Sequence, residues 1–318
     1  MHEYILKTLL QKSIIDDDTA ARIGHIEAIK PFSLHWELKS MLYFGVLLLN
    51  LGLGVLIYEN IDSIGHIALI IAIGAVSLGC FGYAYRHRAL FSAGEVESTT
   101  PYFDYILLLG CLTFLIMEGY WQYQYNIFGE RYGLVTFIPM VLFFGLAYYF
   151  DNRGVLALGI TALAACVGIT VTPLELLKAN DFNSETIVLT GVGLAALLIA
   201  VPFISERFQF KKHFSLTYLN FGVHLIMVSC LAGMIALGKE ILYFPLLCIA
   251  IAFFLWYARK QESFYFLIVA VIYAYIGVTF LILHHSDNWS FEGYLFYFVA
   301  SCGGIIALLL NYKKFFKP

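Results

Sequence analysis

Charged residues are scarce in this sequence. Asp, Glu, Lys and Arg together make up 13% of the 318 residues, about half of the roughly 25% that soluble domains carry. Hydrophobic residues make up 61%, and the mean hydropathy is +0.80. One soluble core could not bury so much apolar surface. The composition therefore excludes a soluble globular protein and predicts a membrane protein whose main partner is the lipid bilayer.

Long runs of like charge and catalytic sequence patterns are also missing. The net charge is only −3, and the longest acidic run is Asp16–Asp18, which argues against a nucleic-acid partner. No nucleophile elbow, phosphate-binding loop or His/Glu metal motif occurs. The six cysteines lie in apolar runs without metal-ligand spacing, so neither disulfides nor zinc are indicated. We expect no catalytic residue, no metal and no cofactor, and an enzyme is the less favoured class.

Apolar runs long enough to cross a hydrocarbon core, about 17–25 residues, recur along the chain. In the absence of a barrel pattern each run is predicted to be a helix, because a helix satisfies its own backbone hydrogen bonds in lipid. The fold class is therefore all-α, a polytopic transmembrane helix bundle of about ten spans. The predicted spans are Met41–Tyr58, Ile64–Tyr85, Phe103–Trp121, Tyr132–Phe150, Gly154–Thr172, Thr186–Ser205, Phe214–Leu237, Ile241–Ala258, Phe264–His284 and Gly293–Tyr312.

The basic residues predict how these spans are oriented. Of the 19 Lys and Arg residues, all except Arg131, Lys178 and Lys239 fall in one set of alternate connections and termini. Cytoplasmic loops carry the excess of Lys and Arg, so both termini are predicted to be cytoplasmic. A hairpin that re-enters the membrane at Asp151–Arg153 is the main alternative to two separate spans there.

Residues 1–39 are predicted to form a small cytoplasmic domain ahead of the transmembrane part, residues 40–318. Apolar residues recur at helical spacing in two short segments, and Pro31 ends the second. A helical hairpin of about 30 residues is too short to bury a stable core alone. It is therefore expected to pack on the membrane part, on another copy in a homo-oligomer, or on a protein partner.

A polar stretch at the outer end of the third predicted span is the best candidate for a ligand site. On a continuing helix, Glu118, Gln122 and Tyr125 lie on one face. A carboxylate inside a span is costly and usually faces a bundle interior or a water-filled cavity. We predict that Glu118 is the charge or proton partner of a ligand and that Tyr125 forms a wall. Gln122 and Asn126 would select the ligand by hydrogen bonding. An aromatic belt at headgroup depth is the alternative.

Other polar residues extend the candidate set. Glu130 and Arg131 could close the site as a paired lip, although such surface pairs contribute little energy. His224 lies four residues after Asn220 in the seventh span. It could relay protons, but a hydrogen bond between helices is the commoner role of such a residue.

The adjacent His284 and His285 could bind a metal together with Asp287. Two neighbouring helical residues do not face the same way, so this metal site is not expected.

Small residues at fourfold spacing predict close packing between helices. The pairs are Ala68 and Ala72, Ala75 and Gly79, Ala164 and Gly168, and Gly191 and Ala195.

Three parts of the first half have a distinctive pattern: Leu9–Ile15 with Thr19–Ile23, Gly45–Gly54 leading into Glu59–Asp62, and Gln124–Ile127 with Gly129–Glu130. Together these segments resemble a family of uncharacterised bacterial membrane proteins, domain of unknown function 2157. The resemblance covers roughly residues 5–170 and implies a polytopic inner-membrane protein with a cytoplasmic N-terminal domain. It implies no substrate and no catalytic residue, but it favours a specific role for the polar stretch.

The function that these observations favour is that of a transporter-like or small-molecule-binding membrane protein. Five spans followed by five have the parity of an inverted-repeat transporter. A scaffold or sensor that acts through residues 1–39 is the alternative. A membrane-embedded transferase would need its catalytic residues from the loops 122–131 and 284–292.

Overall fold

The computed structural model describes residues 16, 19, 35–129, 131–171, 185–285 and 291–312. The chain divides into two compact units, Met1–Leu53 and Gly54–Pro318. Within the described residues all regular structure is helical, and the fold class is all-α as predicted. The α-helices are α1 (His35–Ile64), α2 (His66–Arg86), α3 (Phe103–Tyr125), α4 (Tyr132–Phe150), α5 (Arg153–Val171), α6 (Glu185–Phe208), α7 (Ser215–Ile235), α8 (Glu240–Lys260), α9 (Phe264–His284) and α10 (Phe291–Leu310), and a 3₁₀ turn at Lys212–Phe214 precedes α7.

Each of the ten predicted spans corresponds to one of these helices. The largest boundary difference is at α1, which begins six residues before Met41 and ends six residues after Tyr58. In the described residues, 8 helices are long and apolar enough to cross a membrane. The apolar stretches of α5 and α10, residues 153–168 and 292–306, are shorter. The chain is therefore a multi-pass membrane protein, and crossing by α5 and α10 stays a prediction.

The division between α4 and α5 is confirmed as two separate helices. Asp151 ends α4 with φ +60°, a left-handed conformation that Asp adopts more readily than most residues. Asn152 then caps α5, because its Oδ1 accepts a hydrogen bond of 2.9 Å from the backbone N–H of Val155. The dipeptide Asp151–Asn152 thus reverses the chain in two residues.

In the unit Met1–Leu53 the longest described segment is the beginning of α1. Most of its side chains are exposed, Met41, Phe44 and Leu51 among them, as expected of a helix that contacts lipid. The buried Asn50 donates a hydrogen bond of 2.7 Å from Nδ2 to the carbonyl of Val46. The predicted hairpin in residues 1–39 lies almost wholly outside the described residues, so the hairpin and its partners stay predictions.

The helices of the unit Gly54–Pro318 pack mainly in antiparallel pairs. The closest pairs are α2 with α3, α4 with α5, and α6 with α7, while α8 packs on both α7 and α9. One apolar core is formed by side chains of α6, α7, α8 and α9 and includes Met227 and Phe254. A second apolar core is formed by side chains of all six helices from α2 through α7 and includes Leu107, Phe143 and Leu156. Helices of different pairs are held together chiefly by these side chains.

The predicted packing of small residues is present in α6. Ala195 is fully buried, and a β-carbon added at Gly191 would lie 2.4 Å from Ser229 Oγ on α7. Gly79 differs, because a β-carbon there would meet nothing within 4 Å. The close approach expected at Gly79 is therefore absent from the described part of the chain.

Gly233 of α7 is the position where an added methyl group is expected to be most harmful. A β-carbon there would lie 2.4 Å from the ring of Tyr243 on α8, which is itself almost fully buried. Because neither the ring nor the helices can move freely, Gly233→Ala should lower the free energy of unfolding by roughly 1–3 kcal/mol. Gly193→Ala is the matched control, since its β-carbon meets no atom within 4 Å. Thermal unfolding of both variants in detergent checks this, and equal unfolding temperatures would contradict the α7–α8 packing.

Candidate functional site

Glu118 is the central residue of the predicted ligand site. It lies on α3, five helix positions beyond Thr113, and only 5% of its surface is exposed. Both carboxylate oxygens are buried, and neither has a hydrogen-bond partner among the described residues. An ionised carboxylate in such a place is unfavourable unless something else neutralises it. Glu118 is therefore a buried acid without a protein partner in the described part of the chain.

Gln122 is buried one turn after Glu118, and its side chain secures the end of α3. Its Nε2 donates to Asn126 Oδ1 at 2.8 Å and to the Gly129 carbonyl at 3.4 Å. Its Oε1 accepts a hydrogen bond of 2.9 Å from the backbone N–H of Phe128. Asn126 itself has φ +48° and ends the helix as a left-handed cap. Both residues thus shape the turn beyond α3, and selection of a ligand by them stays a prediction.

The other members of the predicted site that the structure describes differ from Glu118 in exposure. Tyr125 is on α3 but is 44% exposed, whereas Glu118 and Gln122 are buried. Arg131 is exposed, and its backbone N–H donates a hydrogen bond to the Phe128 carbonyl at 3.1 Å. Glu130 lies outside the described residues. The structure thus joins Glu118 and Gln122 on one face and leaves the proposed lip a prediction.

A contact that was not predicted joins α2 to α3 near Glu118. Tyr120 OH and His66 Nδ1 lie 2.5 Å apart, with their rings tilted by 30°. His66 is the first residue of α2, directly after Gly65, whose φ of +84° breaks the chain away from α1. This contact fixes the end of α2 beside the part of α3 that carries Glu118.

His224 takes part in a hydrogen-bonded group between α7 and α9. Its Nδ1 lies 3.0 Å from Tyr273 OH, and its Nε2 lies 2.8 Å from Tyr265 OH. Tyr265 OH also donates a hydrogen bond to Asn220 Oδ1. Both ring nitrogens are therefore engaged, and the arrangement joins the two helices as the hydrogen-bonding interpretation predicted.

The two adjacent histidines both approach one carboxylate at the start of α8. His284 Nε2 lies 3.5 Å from Glu240 Oε1, and His285 Nε2 lies 3.7 Å from Glu240 Oε2. The expectation that they face different ways is wrong here, because His285 lies beyond the last turn of α9. They line an open pocket of about 600 Å³ together with Lys239. Asp287 lies outside the described residues, and no group of three in the described ranges has metal-binding geometry.

Just before the beginning of α7 the structure contains a buried ionic group that the sequence did not reveal. Lys211 Nζ lies 3.0 Å from Asp151 Oδ1, and the two side chains are 1% and 3% exposed. His213 Nε2 lies 2.5 Å from the same oxygen and is 9% exposed. In the sequence, Lys211 stands out only as one of the basic residues that predict the orientation. The burial was not visible because the partner lies 60 residues away in the sequence.

The connection between α2 and α3 completes this group. The backbone N–H of Val96 donates a hydrogen bond of 2.6 Å to Asp151 Oδ2. The backbone N–H of Lys211 donates one of 2.7 Å to the Ala93 carbonyl, and its Nζ lies 3.4 Å from the Gly94 carbonyl. We call Asp151, Lys211, His213 and the backbone of residues 93–96 the Asp151 network. Every polar atom of the Asp151 carboxylate is thus used within the protein.

The Asp151 network leaves no space for a substrate. The cavity beside it, lined by Phe91, Phe103, Asp151 and Lys211 among others, has a volume of only about 10 Å³. That is about the minimum that holds one water molecule. Asn152, the residue after Asp151, donates a hydrogen bond of 2.9 Å from Nδ2 to Asp104 Oδ1 at the start of α3. This group lies at the opposite end of α3 from Glu118.

Comparison with known proteins agrees with the sequence resemblance. Residues 7–156 match the model of a family described as predicted membrane protein (DUF2157). The match includes Glu118, Gln122, Asn126 and Asp151, but it ends before Lys211 and His224. No curated protein and no solved structure matches the chain. The predicted resemblance to an uncharacterised membrane protein family is confirmed for residues 7–156.

Proposed function

We propose that this multi-pass membrane protein is transporter-like and exchanges a proton for a small organic cation at Glu118. The observation that carries the proposal is the buried Glu118 carboxylate, whose two oxygens have no hydrogen-bond partner among the described residues. Ionisable residues inside membrane spans are rare and usually mark the path of an ion or substrate. Exchange gives this residue a chemical role that a purely structural residue would not need.

The exchange follows from the two ways in which the Glu118 carboxylate can be stable. At membrane depth the neutral acid is favoured, because a lone charge loses its hydration. The carboxylate becomes favourable when a cation lies against it, since the attraction is strong where water is excluded. One carboxylate cannot hold both partners at once. Binding of a cation therefore releases the proton, and return of the proton releases the cation.

An organic cation fits the described surroundings of Glu118 better than a metal ion. Metal ions such as Ca²⁺ or Zn²⁺ need four or more ligand atoms, and Gln122, the buried polar side chain one turn along α3, is occupied at the end of that helix. The same helical turn carries Met117, Tyr120 and Trp121. Thioether and aromatic groups contact apolar bodies, and aromatic faces attract cations. The proposed ligand combines one positive charge with an apolar body.

The proposed orientation follows from the distribution of Lys and Arg. With the N-terminus in the cytoplasm, α3 leaves the cytoplasmic side at Phe103 and ends on the other side at Tyr125. Glu118 lies 15 residues along this helix, roughly 22 Å from its start at the rise of an α-helix. The site would then open toward the outer side of a bacterial inner membrane.

Binding of tetraphenylphosphonium, an apolar organic cation, tests the site assignment. Glu118→Gln keeps the size of the side chain but removes its charge, so the affinity should fall at least about 30-fold, because loss of a buried charge partner costs about 2 kcal/mol or more. Glu185→Gln is the control, since Glu185 is half-exposed and paired with Lys239 at 2.6 Å. Calorimetric titration of the purified proteins checks this. Equal affinity in a folded Glu118→Gln variant would remove the assignment.

A further inference from the structure

We infer that the Asp151 network is a gate that closes the end of the protein opposite Glu118, an inference that rests on the proposed function. An exchanger needs one end closed while its site faces the other. The network is made of three chain connections rather than of helix faces. These connections join α2 to α3, α4 to α5, and α6 to α7.

The position of the network allows it to hold three helix pairs together. Each of the three connections belongs to a different closely packed pair. Asp151 comes from the α4–α5 turn, Lys211 and His213 come from the segment before α7, and Val96 comes from the α2–α3 connection. Because all three segments meet at one carboxylate, the pairs cannot separate at this end while the contacts are intact.

Apolar contacts seal the same place. The ring of Phe210 stacks on Tyr148 at 5.8 Å and lies 6.4 Å from the ring of Phe91. Lys211 Nζ lies 5.3 Å from the centre of the Phe91 ring, within the range of a cation–π contact. The network is therefore shielded from water on the side of the α2–α3 connection, and the ionic contacts are strengthened by that shielding.

The network is also built so that it can open as a unit. Asp151 and Lys211 both have left-handed backbone conformations, with φ of +60° and +47°. Such strain in residues other than glycine is kept only where surrounding contacts hold it. Asp151 Oδ1 is shared by Lys211 and His213, so one displacement of the α4–α5 turn breaks both contacts. Two-state behaviour of this kind is what a gate requires.

The first test uses a buried cysteine that reports on water access. Ala84 is fully buried, lies two residues before the end of α2 and packs in the same core as Phe103, which lines the cavity beside the network. In an Ala84→Cys protein, the added changes Asp151→Asn and Lys211→Met remove both members of the buried ion pair. Neither charge is then left buried without its partner. We expect a maleimide to label position 84 roughly tenfold faster, because local opening sets the rate. Peptide mass spectrometry distinguishes this site from the native cysteines.

Two further variants make that result specific. Ser98→Cys lies on the exposed side of the same cavity and should be labelled at the same rate with and without the network changes. His213→Gln removes one arm of the network and leaves Lys211 paired with Asp151, so it should give a smaller increase at position 84. A size-exclusion profile of this variant checks that its fold is kept. Unchanged labelling of position 84 in both network variants would overturn the gate.

The second test separates the gate from the proposed exchange. Saturation with tetraphenylphosphonium should change the labelling rate of Ala84→Cys with the network intact, and Glu118→Gln should abolish that change. If the network variants open position 84 while the cation has no effect, the gate stands as a closure and the exchange at Glu118 fails. If the cation binds through Glu118 and no variant or ligand alters labelling, the network is only structural and the inference fails.

Discussion

Asp151→Asn is expected to lower the free energy of unfolding by about 3–5 kcal/mol, the usual result of removing one partner from a buried ion pair. Asparagine tolerates the left-handed backbone at this position, so backbone strain does not explain the loss. The cost arises because the ammonium of Lys211, 1% exposed, is left in the interior without its carboxylate. Chemical denaturation of the purified protein in detergent measures the effect.

Adding Lys211→Met to Asp151→Asn should recover most of that loss. An apolar side chain of similar length fills the same space and needs no counter-ion, and replacing both partners of a buried pair is often nearly neutral. The exposed pair of Arg153 and Glu95, 2.6 Å apart and about half exposed on both sides, is the control. Glu95→Gln should change stability by roughly 0–1 kcal/mol. Equal losses in the single and double variants would show that the ionic pairing is not the source of the effect.

The second large effect concerns the chemistry of Glu118. Dicyclohexylcarbodiimide is an apolar reagent that adds to a protonated carboxyl group and, where water is excluded, leaves a stable N-acylurea. Glu118 should be modified because it is buried and has no partner among the described residues. The half-exposed Glu185, paired with Lys239, should give little stable product, since water hydrolyses the first adduct at an exposed carboxyl group. Peptide mass spectrometry gives the extent of modification at each residue.

Glu118→Gln is the control for that reaction. The amide has the shape of the acid but cannot form the adduct, so the label should disappear from the α3 peptide and remain unchanged elsewhere. Modification of Glu185 to the same extent as Glu118 would show that burial without a partner does not decide reactivity, and would contradict this prediction.

The helices could be predicted from the sequence because each depends on its own composition. The length of a helix follows directly from the length of an apolar run such as Phe264–His284, and the predicted and observed bounds of α9 coincide. The turn at Asp151–Asn152 was also predictable as a break, since two residues with short polar side chains interrupt two apolar runs. Local information was sufficient in both places.

The Asp151 network could not be predicted because it depends on contacts between distant segments. Lys211 has the same local appearance as the neighbouring Lys212, yet Lys211 is buried and Lys212 is exposed. Only the packing of the α2–α3 connection over the start of α7 makes that difference. The left-handed backbone conformations of Asp151 and Lys211 leave no pattern in the sequence.

The candidate site was predictable in part. Glu118 stood out because a carboxylate inside an apolar run is rare, and its burial in the structure matches that reasoning. The local role of Gln122 was not foreseen, because the hydrogen bonds to Phe128 and Gly129 depend on a tight turn after Asn126. The fourfold spacing of Glu118 and Gln122 correctly placed them on one face. It could not show which of the two side chains would find hydrogen-bond partners within the protein.

Protection of Glu118 from dicyclohexylcarbodiimide by tetraphenylphosphonium is the most direct measurement of the proposed exchange. If proton and organic cation compete for one carboxylate, modification of Glu118 should fall as the cation concentration rises, with half-protection near the dissociation constant measured by calorimetry. Reaction at Glu118 that is unaffected by a saturating concentration of the bound cation would contradict exchange at this residue.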